Sequence, residues 1–372
     1  MKLRNVAVVG FAQGQIVERD EHHTGTEMLY PVVRQVLASC NVQRDAIDYQ
    51  VGGSSDYIDG RPFAFTAALD VLGSWPPKQD SHLDMDAAWA AHYAWIRIQA
   101  GECDTALIYG FGKASEGSMA HVLNLQLDPF YQAPMGLDPV STAALQASAY
   151  MARTGVTDRD LAEVAARNRA AGAKNPNAQL RSAVTADELQ RTPWAVHPLR
   201  QGYLAPQGET ASCLILAAEE KAEQFCRRPV WIHGVDHRSE LQTLGARDLT
   251  RSASAKLAAE KALAMAGLDT ATKVDVVELG SATPVEELVL RDALGLKANG
   301  GGPVVNPSGG VLCGNPLMST GLIRLGEAFA QLSGQAGAHA ISGAQRALAQ
   351  AAAGHCLQQH IVWVLGTQKR WT

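Results

Sequence analysis

Apolar and polar positions follow two registers along this chain, and the registers take turns. Short apolar runs, Val6–Gly10, Thr105–Gly110 (TALIYG), Val230–Val235 and His360–Gly366 (HIVWVLG), have the length and the β-branched content of buried strands. Between them, Glu27–Leu37, Trp89–Ala100, Ala255–Met265 and Leu322–Leu332 carry apolar residues at the three- and four-residue intervals of a helix face. Strand and helix in alternation predict mostly parallel sheets covered by helices.

The pattern occurs twice. Residues 39–54 (SCNVQRDAIDYQVGGS) and 266–281 (AGLDTATKVDVVELGS) share one shape: the end of a helix, a short polar turn, Asp48 or Asp275, then a strand that closes on Gly-Ser. Two related α/β units are expected, residues 1–228 and 229–372. Glu116–Arg228 does not fit the repeat. It carries Pro129, Pro134, Pro139, Pro176, Pro193, Pro198 and Pro206 among helices such as Asp158–Ala171, and so predicts an inserted cap at about residues 116–205. Leu204–Glu220 (LAPQGETASCLILAAEE) ends in an apolar run that returns the chain to the first sheet.

Composition narrows the function. With 372 residues, 47% of them hydrophobic, the chain can bury the core of one large or two similar α/β domains. A net charge of −5 and a pI near 6.1 leave no basic footprint for nucleic acid. The apolar run in MKLRNVAVVG is too short for a signal peptide or a membrane span, so a cytoplasmic protein without a membrane partner is expected. The six cysteines, at 40, 103, 213, 226, 313 and 356, form no C-x-x-C pair, which predicts neither a metal site nor a disulfide framework.

The most informative stretch is Val305–Arg324, VNPSGGVLCGNPLMSTGLIR. Gly309 and Gly310 let the backbone pass against a substrate or another backbone, and Asn306 can bond the turn locally. The stretch resembles the C-terminal active-site loop of the thiolase superfamily, which sterol-carrier-protein and lipid-transfer-protein-like thiolases write roughly as NPSGGxxxxGHPxGATG. Two further segments are similar to theirs: GFGKASEGS (110–118) to GFEKMSKGS, and VDVVELGSATPVEELVLRDALGL (274–296) to IDVIELHDCFSTNELLTYEALGL. The resemblance implies a thiolase fold, that is, two duplicated α/β halves in a five-layer helix and sheet arrangement with an inserted loop region. It also implies a coenzyme A thioester as substrate, no covalently bound cofactor, and pairing through an edge strand of the first half. A homodimer, or a heteromer with a thiolase paralogue or a small OB-fold and zinc-ribbon subunit, would follow.

The chain departs from that family where the chemistry resides. The family's nucleophilic cysteine, written C-x-S/T-G at a strand-to-helix elbow, falls on Asp84, and its elbow glycine on Ala87. Asp84 and Asp86 read either as caps of the following helix or, for Asp84, as a carboxylate base. Asn315 replaces the histidine of GHP; an amide still donates a hydrogen bond to an enolate oxygen but moves no proton at neutral pH. Gly280 and Ser281 stand where the family has His-Asp. Cys356, in AAAGHCLQQH, lies at or beside the second cysteine, with Cys313 as a rival thiol and His355 and His360 as sources of an imidazole. The resemblance therefore gives Asp84, Asn315 and Cys356 as catalytic candidates, and Asn306, Gly309, Gly310 and Ser281 as groups around the acyl-CoA; Trp89, one helical turn from Asp84, reads either as core or dimer-interface packing or as the lining of a pocket for a bulky acyl group. Phe130–Pro139 and Tyr203–Glu209 are placed loosely beside the nucleotide of the acyl-CoA.

Two readings use such a site. One is a C–C lyase that cleaves a β-hydroxyacyl-CoA, with a steroid or other bulky side chain, by retro-aldol chemistry without a cysteine. The lipid-transfer-protein-like aldolases that do so place tyrosines where Gly280 and Asn315 stand here. The other is a non-catalytic subunit of a heteromeric thiolase, acyltransferase or aldolase. A carrier of acyl-CoA or sterol is a third class.

Overall fold

In a computed structural model of the chain, residues 3–60, 62–296 and 302–370 are described. The first half runs β1 (Val6–Gln13), α1 (Gly25–Ser39), β2 (Tyr49–Gly53), the short α2 (Asp56–Asp59) and α3 (Ala68–Leu72), β3 (Gln79–Leu83), α4 (Ala87–Ala100) and β4 (Thr105–Gly112). The insertion supplies α5 (Met119–Asn124), α6 (Pro139–Thr154), α7 (Asp158–Gly172), α8 (Ala186–Gln190) and a small hairpin, β5 (Trp194–Val196) with β6 (Leu199–Arg200). The chain re-enters the first half through β7 (Thr210–Ala218) and α9 (Glu219–Phe225). The second half follows as β8 (Val230–Ser239), α10 (Ala253–Met265), β9 (Val276–Glu278), α11 (Pro284–Ala293), β10 (Val304–Val305), α12 (Thr320–Ser333), β11 (Arg346–Ala353) and β12 (Gln359–Gly366).

Among the described residues the main sheet has ten strands in the order β10-β9-β11-β12-β8-β1-β7-β4-β2-β3. Read outward from its centre, each half repeats the other. β1 and β8 pair antiparallel with β7 and β12, these pair antiparallel with β4 and β11, and parallel pairs lead on through β2 and β9 to β3 and β10. The two repeated aspartates do the same work in each half. Asp48 accepts from the amides of Asp104 and Thr105 at the start of β4, and Asp275 from those of Gln345 and Arg346 at the start of β11.

Taken in chain order, the apolar runs match Thr105–Gly110 of the first half with His360–Gly366 of the second; the structure corrects that match, because the counterpart of β4 is β11, and His360–Gly366 forms β12, the counterpart of β7. β11 reads RALAQAAA, whose alanines lack the β-branched signature, so only its pairing with β9 and β12 makes it a strand.

Alternate residues of the strands face opposite layers. Val8, Ile108, Leu214, Val276, Ala349 and Trp363 meet α4 and α12, which lie between the two halves of the sheet. Val9, Leu107 and Ile215 meet α1 and α9 on one outer face; Val277, Leu348 and Val362 meet α10 and α11 on the other. The result is the five-layer order helix, sheet, helix, sheet, helix, with α6 and α7 of the insertion packed against α11. No helix among the described residues is long and apolar enough to cross a membrane.

Candidate functional site

The carboxyl ends of β2, β3 and β4 in one half, and of β9, β10 and β11 in the other, turn toward the amino ends of α4, α11 and α12. The approach is close because the residues are small. A Cβ on Gly53 would lie 2.5 Å from Ala87 Cα, and one on Gly110 would lie 2.7 Å from the Met318 carbonyl oxygen. α4 and α12 thus begin face to face.

Asp86 joins them. Its side chain accepts from the Ala88 amide (2.8 Å) in α4 and from the Gly321 amide (2.9 Å) in α12, and Met318 O takes the Ala87 amide (3.0 Å). Burial raises the Asp86 pKa although these amides and the Arg324 charge oppose it. The capping reading therefore holds for Asp86, across two helices and not one. Asp84 sits two residues earlier in the same elbow, and its side chain is exposed. Trp89 is buried in the layer between the half-sheets, whereas Tyr93 and Ile96 of the same helix are exposed.

The Asn-Pro-Ser-Gly-Gly loop is turned inward. Asn306, at φ 52°, accepts from the Leu279 amide (2.7 Å) and donates to Glu287 (3.2 Å). Ser308 donates its hydroxyl to Glu278 (2.7 Å), and Arg324 Nη1 donates to the same carboxylate (2.6 Å) and to Ser308 Oγ (2.7 Å). A Cβ on Gly309 would lie 2.6 Å from Gly172 Cα, and one on Gly310 would lie 2.8 Å from Asn306 Nδ2. Of the two uses open to these glycines, the structure displays contact with other protein atoms. Asn306, Gly309 and Gly310 are all buried.

Asn315 is half-buried and differently placed. Its amide N donates to Pro206 O (3.1 Å), its carbonyl accepts from Gly208 N (3.3 Å), and its Oδ1 accepts from the Thr320 hydroxyl (2.8 Å). That last bond orients the side chain and leaves Nδ2 without a partner among the described residues. Ser281 is fully buried, and its hydroxyl likewise lacks a partner among them. At Gly280 a Cβ would lie 3.0 Å from both Ala351 Cα and Ala352 N, so β11 packs tightly against the place of the family's imidazole.

The thiols are held protonated. Cys356 Sγ donates to Thr142 O (3.2 Å), and burial pushes its pKa up to about 12; Cys313 Sγ donates to Asn168 O (3.3 Å), with burial pushing it to about 11. Neither nearby imidazole is available. His355 lies between Thr142 Oγ1 (3.1 Å) and Leu123 O (2.9 Å). His360 accepts from Gln350 Nε2 at Nδ1 (2.9 Å) and turns Nε2 to Ser252 Oγ and Leu357 O, with burial lowering its pKa to about 4.

One group was overlooked in the sequence. Glu286, in the first turn of α11, is 9% exposed and accepts from the amides of Ala282 (2.7 Å) and Thr283 (3.1 Å). Burial outweighs those bonds and raises its pKa to about 7. Thr283-x-x-Glu286 is legible as a capping box, but its burial is not. No cluster of metal-binding side chains occurs among the described residues. A cavity of about 800 Å³ beside Cys226, Trp231 and Lys369 lies at the opposite strand ends, remote from all these groups.

Comparison with known proteins agrees with this architecture. Residues 235–367 match the family described as Thiolase C-terminal domain-like. An acetyl-CoA acetyltransferase of Methanocaldococcus jannaschii is 26% identical over 354 residues, covering 89% of this chain and 90% of that one. Sterol carrier protein 2 of Gallus gallus is 28% identical over 285 residues, 68% of this chain but only 51% of that protein. Among solved structures, an aldolase described as Ltp2-ChsH2(DUF35) superposes with a TM-score of 0.83 at 18% identity, covering 98% of each chain. A monomeric SCP2-thiolase-like protein type 1 from Mycobacterium smegmatis gives 0.78 at 20% identity, covering 100% of this chain and 79% of that one.

Proposed function

We propose, from the premise that this chain has the thiolase fold and is related in sequence to acetyl-CoA acetyltransferases and sterol-carrier-protein thiolases, that it cleaves the Cα–Cβ bond of a β-hydroxyacyl-CoA without a cysteine nucleophile. The observation that carries the reading is the state of the thiols. Cys313 and Cys356 are buried and protonated at neutral pH, which leaves no thiolate for acyl transfer. Retro-aldol cleavage needs none: a base takes the β-hydroxyl proton, and donors such as Asn315 Nδ2 hold the thioester oxygen as the enolate develops. The likeness to the Ltp2-ChsH2(DUF35) aldolase supports the same class and suggests a small partner subunit for this chain as well. A bulky acyl part, such as a steroid side chain, is the substrate class that the sterol-carrier relatives suggest.

A second reading, a non-catalytic subunit, draws on the closure of the site by this chain's own atoms. Asp86 and Met318 O occupy the helix-terminal amides, and the backbone of β11 packs tightly against Gly280. The two readings separate in one assay. The purified chain is incubated with β-hydroxyacyl-CoA esters, alone and with partner subunits co-purified from its host, and the products are followed by mass spectrometry. A shortened acyl-CoA with an equimolar aldehyde or ketone from the chain alone supports the lyase. Cleavage seen only with a catalytic paralogue, at a rate that substitutions in this chain leave unchanged, removes the lyase and leaves the subunit.

A further inference from the structure

Four capping boxes among the described residues close on a carboxylate, and three of them behave alike. Glu27, Asp160 and Glu188 are exposed, and hydrogen bonds from Thr24, Thr157 and Thr185 lower their pKa values. Glu286 has the same geometry with Thr283 but is buried, and its pKa moves the other way, to about 7. Helix capping alone requires neither the burial nor the proton.

The position matters as much. Glu286 is bonded to the Ala282 amide, Ala282 O accepts from Ala205 N (2.9 Å), and Pro206 O accepts from Asn315 N (3.1 Å). The dipeptide Ala205-Pro206 therefore links Ala282, whose amide the carboxyl holds, to the backbone of Asn315. The Ser281 hydroxyl, without a partner among the described residues, lies next to Ala282 in sequence, and Cys356 is a titratable neighbour, its thiol raised in part by the Glu286 charge. Beyond Cys356, Arg247 donates to the carbonyls of Cys356 and His355. α6 presents Thr142, which is engaged with His355, and on α11 the following Glu287 is held by Arg167 and Asn168. Glu286 thus has no fixed counter-ion in this cluster to hold it permanently charged.

We infer that Glu286 is the base of this site: its carboxylate accepts the β-hydroxyl proton of a bound β-hydroxyacyl thioester, an assignment that rests on the lyase reading and replaces the exposed Asp84. As that proton leaves, the C–O bond becomes a carbonyl and the Cα–Cβ bond breaks. Its electron pair passes into the thioester as an enolate held by the Asn315 amide. The carboxylic acid then returns the proton to Cα, giving a shortened acyl-CoA and an aldehyde or ketone, with no other reactant consumed.

The test compares wild type with Glu286→Gln and Asp84→Asn. Each is measured for kcat against pH on a β-hydroxyacyl-CoA, and for Kd of that ester and of its 3-deoxy counterpart. Gln keeps an acceptor for the Ala282 and Thr283 amides, and a thermal melt verifies folding. Wild-type kcat should rise about tenfold per pH unit below 7 and level off above, because the base acts when ionised. Glu286→Gln should lose about a hundredfold or more together with that pH limb, while Asp84→Asn stays within a few-fold. A Glu286→Gln enzyme that keeps the wild-type limb overturns the assignment. If wild type cleaves nothing, the lyase reading falls and the binding arm alone decides on Glu286. A preference of about tenfold for the hydroxy ester at pH 8, as a hydrogen bond to a charged acceptor provides, that vanishes in Glu286→Gln retains it as the acceptor of that hydroxyl. Equal affinities of wild type for the two esters overturn it.

Discussion

At the residue scale, the same side chain types that the sequence marks as chemical separate by burial. Cys313 and Cys356 lie close to the loop where a thiolase works, but the protein surrounds both with apolar atoms and gives each a backbone carbonyl to donate to. With pKa values of about 11 and 12, under about one thiol in a thousand is ionised at pH 7.5, and the thiolate is the reactive form. Iodoacetamide at that pH should leave both unmodified in the folded protein over an hour, as read by peptide mass spectrometry. Rapid labelling of either one would restore it as a nucleophile. Carboxyls sort by the same physics in the other direction. Glu286 holds its proton to near neutrality because it is buried, and Asp84 is exposed.

At the element scale, the start of each central helix is secured by the other half of the molecule. α4 has almost no polar face: Ala87, Ala88, Ala90, Ala91 and Ala94, with Trp89, Trp95 and Ile98, are buried, so its orientation comes from packing and from its first turn. Asp86 is the shared cap of α4 and α12. Asp86→Ala strands two buried amides and should cost about 2–4 kcal/mol in urea unfolding; Asp86→Asn, which keeps one acceptor, should cost less. A loss below about 1 kcal/mol for the alanine variant would mean that other groups close those helices. Much at this scale was legible beforehand. The strand runs, the four long helices and Asp158–Ala171 appear where their periodicity places them, to within a few residues. β11 was not legible because alanine carries little strand preference, and Glu286 was not because a capping box reads identically whether solvent or protein covers it.

At the scale of the whole molecule, duplication decides the architecture. The paired strands, and Asp48 and Asp275 each bonding the start of an equivalent strand, make the two halves versions of one unit, fused where β1 meets β8 at Ala7 with Trp231 and Val8 with Val230. β3 ends the sheet on the first half's side, with Tyr93 and Ile96 of α4 exposed as well. This is the surface through which the thiolase resemblance expects pairing, and the native mass of the protein taken gently from its host tests it. A homodimer agrees with a self-contained lyase; a heteromer places part of the chemistry in the partner; a monomer at micromolar concentration would contradict pairing through this edge. The sequence by itself determined the class: strand and helix period, the repeated Asp before a strand, and the NPSGG stretch are local patterns, and local patterns survive without coordinates. Only the tertiary structure decided which polar groups face one another. It turned Asn306, Gly309 and Gly310 into internal bracing, made Asp86 a cap for two helices, packed Gly280 tightly against β11, and buried Glu286 beside Cys356. Those outcomes depend on desolvation and on contacts between residues far apart in the chain, and neither is encoded in spacing.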